Sequence, residues 1–506
     1  MSKRTRMLLI SAIALVALGG LLAVLLLTGV GKQPDETDPT LPDTSVVLLD
    51  KPEGVKVTSV AVSLPDEDFE IITGKDGELV VKGFEDLPQG GSYSSIAEQL
   101  LDITASRLAA KDPENPADFG FDDPAKKATK ITATYSDKEQ FSFEIGKEAT
   151  NGGYYLRTAA SPDVYLIRTS FVNAVSIKSM DYLNLMPLSA PSSDDESGEL
   201  VVRDVTLTGS IRKEPLSFQI STEVLEDGQQ AQYLTGFIVT KPYRRNLKND
   251  TDMMGASSYY AFMATSVAKI KPTEEDLVTY GLAEPYSQCD FTLSIKKTEE
   301  KLDESNNKKT TITFHDDLTQ TVKLGNLCEN GVDRYAVVYV EDEMVPLLYT
   351  IDPSALVWAE KQYDDIADQL LFFTYIYHVD EMTITHDGAT HKFELTHFSE
   401  EEDRDDKLMV TSNRVQYDTD DFRTLYQGMM DLTRKGSLDK LPDGEPILQI
   451  DIKTNSAVAH SGWIRMYETE DYGDIAVLHD TGEMYLVDEK AVRIFREGYR
   501  EFLKNE

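Results

Sequence analysis

The chain is 506 residues long and carries 88 acidic against 50 basic side chains, a formal charge of −38. That balance excludes a nucleic-acid binder, because phosphates are held by lysine and arginine, and it opposes docking on anionic lipid. Hydrophobic residues make up 41 % of the chain, with 24 Tyr and 19 Phe, so packed cores are expected rather than disorder.

The first predicted element is a transmembrane helix over residues 7–30. No charged residue lies in this run, and most positions are Leu, Ala, Ile or Val. About 20 apolar residues at about 1.5 Å each cross a bilayer core. A cleaved signal peptide has a shorter apolar region and a small-residue cleavage site, so an uncleaved anchor is expected. No Cys follows the run, which excludes a lipoprotein anchor. Lys3, Arg4 and Arg6 precede it, while Asp35, Glu36, Asp38 and Asp43 follow. Basic flanks stay cytoplasmic, so a single-pass protein is expected in the cell membrane, with residues 1–6 inside and an acidic body outside.

The body reads as three copies of one plan. Each contains a strand with apolar residues on alternate positions: Ile131, Ala133 and Tyr135; Phe291, Leu293 and Ile295; Leu448, Ile450 and Ile452. Such alternation buries one face and wets the other. Upstream lies a short amphipathic helix: Ile96, Leu100 and Ile103 after Ser94 and Ser95; Tyr259, Phe262 and Met263 after Ser257 and Ser258; Phe422, Leu425, Tyr426 and Met429 after Thr419 and Asp420. Each copy closes with a strand running into a helix start, at Val164 to Thr169, Leu347 to Pro353 and Met484 to Asp488. Short polar turns such as Asp387-Gly388 indicate antiparallel pairing.

The predicted fold is therefore α+β: an N-terminal transmembrane helix, then tandem related domains of antiparallel sheet with packed helices. The expected organisation is a cytoplasmic segment over 1–6, the helix over 7–30 and a linker over 31–45. A first repeat domain follows over 46–188, a linker over 189–199, a second repeat domain over 200–372 and a third, diverged, over 373–506. Two insertions read as solvated loops, one from Lys296 to Lys309 and one from Ser399 to Asp406.

The first two copies also share a turn before the alternating strand. Phe119-Gly120-Phe121 with Pro124 matches Tyr280-Gly281-Leu282 with Pro285. Gly146-Lys147 matches Gly325-Asn326, and Tyr154-Tyr155 and Tyr335 follow. With the Val164-Tyr165-Leu166 segment, these residues resemble the uncharacterised family called domain of unknown function 4340. The third copy matches only at its closing strand. The resemblance implies a single-span extracytoplasmic protein associated with an ABC-type transporter, and it carries over no catalytic residue.

No catalytic, cofactor-binding or metal-binding residue is assigned, and no cofactor is expected. His378, His386, His391, His397, His460 and His479 crowd the last third, but only His386 and His391 flank a hairpin and could approach each other. The run Glu400 to Asp406 lacks the spaced ligands of a calcium loop. Tyr154, Tyr165, Tyr335, Tyr339 and Tyr485 read as sheet residues rather than a ligand groove. Cys289 and Cys328 fall in one domain, where an extracytoplasmic location permits a disulfide or leaves two thiols. The function expected is a non-enzymatic, membrane-anchored scaffold or binding protein, accessory to an ABC-type transport or cell-envelope complex. Its expected partners are the membrane, through the N-terminal helix, and a transporter permease or other envelope protein. The alternative is a cell-envelope polymer hydrolase using paired carboxylates.

Overall fold

The computed structural model describes residues 44–505, apart from 123–126, 151, 193–197, 223–234, 303–307, 372–373, 399–406, 456–460 and 471–472. The transmembrane helix expected over 7–30, the acidic insertion at 400–406 and His460 lie outside the described residues. Among the described residues, no helix is long and apolar enough to cross a membrane. The chain divides into two compact units, one ending at Tyr182 and the other beginning at Leu183. Residues 183–189 are tied to the second unit: Ala264 donates to the Leu185 carbonyl and the Gln320 amide to the Ser189 carbonyl.

The first unit is built on an eight-stranded antiparallel sheet. Its spatial order is Leu79–Val81, Asp68–Thr73, Val57–Ser63, Thr129–Tyr135, Gln140–Glu148, Tyr154–Thr158, Val164–Ile167 and Arg107–Ala110. Two meanders therefore meet at the central pair Val57–Ser63 and Thr129–Tyr135. The far edge is closed by a strand that comes between the meanders in sequence. Val46–Asp50 pairs separately with Asp102–Ala105.

The second unit repeats this path twice. One sheet runs Arg245–Asn246, Phe237–Lys241, Leu216–Ile220, Glu199–Thr208, Ser287–Leu302, Lys308–Leu327, Arg334–Val340, Leu347–Ile351 and Ser266–Ile270. The other runs Val415–Tyr417, Leu408–Ser412, Ala389–His397, Val379–His386, Leu448–Thr454, Gly462–Glu468, Asp474–His479, Met484–Asp488 and Arg434–Ser437. In both, the closing edge strand again comes between the meanders in sequence. The three alternating strands point their apolar residues inward, all at 7 % exposure or less.

Helices cover the inner faces. In the first unit Ser92–Gln99 and Thr169–Val175 bury Ile96, Phe171, Val172 and Val175. On the third sheet Thr419–Met430 buries Phe422, Leu425, Tyr426 and Met429, and Glu489–Phe502 buries Val492, Phe495, Tyr499 and Phe502. The aromatic packing also repeats. Tyr182 stacks on Tyr93 at 4.7 Å with Phe69 at its edge, and Phe502 stacks on Tyr417 at 5.1 Å with Phe393 at its edge.

Several local expectations change. The helix expected around Tyr259 is a single turn, Ser257–Tyr260, and Met263 is 66 % exposed rather than buried. Ile103 is buried from the strand Asp102–Ala105, after the helix has ended at Gln99. Asp418, not Thr419 or Asp420, caps the third copy's helix, its carboxylate accepting from the Asp420 and Asp421 amides. The Asp352-Pro353 start yields only a 3-10 turn, Pro353–Ala355. In the insertion between Lys296 and Lys309, residues 303–307 lie outside the described residues, but the flanking arms are strands rather than loop, continuing the central pair as a ribbon from Lys297↔Thr313 to Leu302↔Lys308 beyond the neighbouring strands.

Candidate functional site

The turn shared by the first two copies is a crossing of backbones. Phe119-Gly120 lies across Gly146-Lys147, so that a Cβ on Gly146 would sit 2.2 Å from the Phe119 carbonyl oxygen. A Cβ on Gly325 would likewise sit 2.2 Å from the Tyr280 carbonyl oxygen, which accepts a 2.8 Å bond from the Asn326 amide. Phe119 meets Tyr155 at 5.0 Å between ring centres, and Tyr280 meets Tyr335 at 4.4 Å. These motif residues pack the turn against the strand that crosses it. Of the five tyrosines, Tyr485 is fully buried and the other four are half-buried.

Two buried guanidinium clusters hold the second unit together. Arg212 donates to the carbonyls of Thr208, Trp358, Ala359 and Lys361 and to the Ser287 hydroxyl, pinning the segment after the second sheet. Burial pushes its guanidinium down from the ordinary value. In the other cluster, Glu483 is 1 % exposed and lies between Arg245, at 2.6 Å, and Arg434, at 3.0 Å. Arg245 also donates to the Leu370 carbonyl at 2.5 Å, and Arg434 donates to Asp364. The rings of Tyr485 and Tyr363 lie 5.0 Å from the Arg245 guanidinium and 4.9 Å from the Arg434 guanidinium respectively. Burial pushes both phenols up. Arg245 belongs to the edge strand of one sheet and Arg434 to the edge strand of the other, with Glu483 just before the latter sheet's strand Met484–Asp488, so the cluster joins the two sheets. Sequence reading missed both clusters, because a lone Arg or Glu carries no periodic signal.

The histidines do not converge. The Arg496 Nε–H donates to His386 Nε2 at 2.6 Å, and Tyr499 hydrogen-bonds His391 Nδ1 at 2.7 Å. His397 Nε2–H donates to the Val379 carbonyl. His386 and His391 thus each bind the C-terminal helix, and both rings lie 6.0 Å from that of Tyr499. Among the described residues no three of His, Cys, Asp or Glu are placed to hold a metal. Both cysteines are free, Cys289 buried and Cys328 half-buried. The carboxylates Asp204 and Asp290 lie on adjacent strands, where burial pushes Asp204 up. Asp290, however, is taken up by Gln288 and Thr321, which marks a hydrogen-bonded sheet face.

His386 makes a pH prediction. Burial pushes its imidazole below the ordinary value, and Arg496 and Arg500 act in the same direction against Asp387. The folded chain then binds fewer protons than the unfolded one, so stability falls as pH drops from about 6.5 through the lower folded value. His386→Gln, which keeps a neutral acceptor for Arg496, flattens this loss in urea unfolding between about pH 7 and pH 5. Loss from carboxylates such as Asp276, held down to about 2 chiefly by Lys269, belongs to lower pH.

The candidate site is an apolar cleft on the third sheet's helices. Thr419–Met430 and Glu489–Phe502 lie side by side, and a cleft of about 540 Å³ opens between them. Leu425, Leu432, Phe495 and Phe502 are its buried lining, while Ile494 remains 57 % exposed. Gly428 and Gly498 widen it: a Cβ on Gly498 would meet nothing within 4 Å, and one on Gly428 only Phe495 at 3.8 Å. Asp421, Asp431 and Glu501 are the charged residues that line it. The amphipathic pattern of the first helix was legible in the sequence, but a cleft between two helices was not.

Fold and cleft together define a protein of repeated antiparallel-sheet modules with helices on their inner faces. Residues 91–196 match the family model described as a domain of unknown function (DUF4340). No match was found among curated proteins or among solved structures.

Proposed function

We propose that the chain is a membrane-anchored, extracytoplasmic scaffold or binding protein without catalytic activity. In this reading it serves as an accessory subunit of an ABC-type transport or cell-envelope complex. The observation that carries it is one sheet plan used three times, with an apolar cleft open on the third. Repeated modules present surface for partners, and exposed apolar clefts mark where partners bind. The uncharged run over 7–30, with Lys3, Arg4 and Arg6 before it, supports the anchor and its orientation. The link to a transporter rests on the family resemblance. Crosslinking of the intact chain in native membranes, followed by purification, is expected to recover a polytopic membrane protein in stoichiometric yield. Recovery of the chain alone counts against the reading.

A further inference from the structure

We infer that the cleft between Thr419–Met430 and Glu489–Phe502 receives one amphipathic helix of a partner protein, apolar on the inserted face and carrying Lys or Arg beside it. The inference rests on the scaffold reading and names the chemistry of its partner.

Shape comes first. A trough between two helices lying side by side accepts a third helix, whose residues at i, i+3, i+4 and i+7 fill it. A 12-residue helix is about 18 Å long, so the wall formed by Thr419–Met430 spans roughly three turns of an occupant. Gly428 and Gly498 remove the side chains that would hold an incoming helix away. Ile494, exposed on the edge of the cleft, is covered when the trough is filled.

Charge selects the occupant. Asp421, Asp431 and Glu501 line the cleft, and among the described residues no Lys, Arg or His does. Glu501 holds Lys504 in an exposed ion pair, which an incoming cation can replace. A chain of −38 adds to the same field. A second copy of this chain would bring the same three acids against these, a like-charge juxtaposition that disfavours self-docking.

The test uses the full chain in nanodiscs of zwitterionic lipid, with empty discs as background. The probe is a fluorescein-labelled 14-residue peptide of Leu and Lys, patterned as an amphipathic helix. Saturable one-to-one binding is expected, weakening as salt rises. Gly498→Leu fills the trough and is expected to weaken binding at least about tenfold, while the thermal unfolding midpoint holds or rises, since Gly in a helix interior is unfavourable. Ile494→Asp is a second variant, on an exposed side chain. Asp421→Asn with Asp431→Asn is expected to weaken binding several-fold at low salt and to flatten the salt dependence. A peptide with Glu in place of Lys is expected to bind at least about tenfold more weakly. Absence of saturable binding, equal binding of the two peptides, indifference to both Gly498→Leu and Ile494→Asp, or self-association that Gly498→Leu abolishes each overturns the inference. The scaffold reading fails separately. If the native-membrane crosslink recovers a partner equally with wild type and Gly498→Leu, the scaffold stands and the cleft does not. If wild type recovers none, the scaffold reading falls whatever the peptide does.

Discussion

Replacing Glu483 by glutamine is expected to destabilise the second unit by about 3–5 kcal/mol. The carboxylate lies between two guanidinium groups, and all three residues are at least nine-tenths buried. Glutamine keeps the shape but leaves Arg245 and Arg434 facing each other, with Asp364 beside Arg434 and the buried Asp368 near Arg245. Uncompensated buried charge is what makes breaking such a cluster costly, even where an intact one contributes little. The cluster is not ideally satisfied: Arg434 Nε and Glu483 Oε1 lie 3.0 Å apart but out of hydrogen-bond alignment. Replacing all three charges by apolar residues, Arg245→Met with Arg434→Met and Glu483→Leu, is therefore expected to recover at least half of the loss. Both tryptophans, Trp358 and Trp463, lie in the second unit. Tryptophan fluorescence during urea unfolding thus reads this unit alone. An unchanged midpoint in Glu483→Gln would remove the cluster's assigned role.

Gly146→Ala and Gly325→Ala are expected to be strongly damaging single-methyl changes in their units. In each, the added carbon would lie 2.2 Å from a backbone carbonyl oxygen, at a register shift directly after the paired residues Ile145 and Leu324. Overpacking against backbone is expected to cost on the order of 3 kcal/mol or more. Gly152→Ala is the control. It meets nothing within 4 Å and costs only the strain of its positive φ, about 1 kcal/mol. Hydrogen exchange read by mass spectrometry separates the units. Gly146→Ala is expected to deprotect the strands Thr129–Tyr135 and Gln140–Glu148 and leave 199–488 protected, and Gly325→Ala the reverse. Equal protection in Gly146→Ala and Gly152→Ala would show that the crossing tolerates a side chain.

The alternating strands were legible because a period of two leaves little choice of face, and Ile131, Phe291 and Ile450 are all buried. The closing edge strands were not. Arg434–Ser437 reads Arg-Lys-Gly-Ser and Arg107–Ala110 opens on a charge; each is a strand because an edge is available to pair with. The single-turn helix at Ser257–Tyr260 shows the same limit, since it buries only Tyr259 and is too short to set a period. Among candidate residues, the histidine pair looked convergent from hairpin spacing alone. The C-terminal helix, more than 100 residues downstream, divided it between Arg496 and Tyr499.

The sequence by itself determined the repeated sheet plan, the inward faces, the glycine turns and the acidic balance, because each follows from periodicity, backbone sterics or composition. Only the tertiary structure decided what the polar residues do. Glu483, Arg434, Arg245 and Arg212 look like surface residues in the chain, yet they are buried where sheets and linkers meet. The open cleft likewise exists only where two helices lie side by side with glycine at Gly428 and Gly498. A side chain's burial and partners depend on elements far apart in sequence, and no local pattern records them.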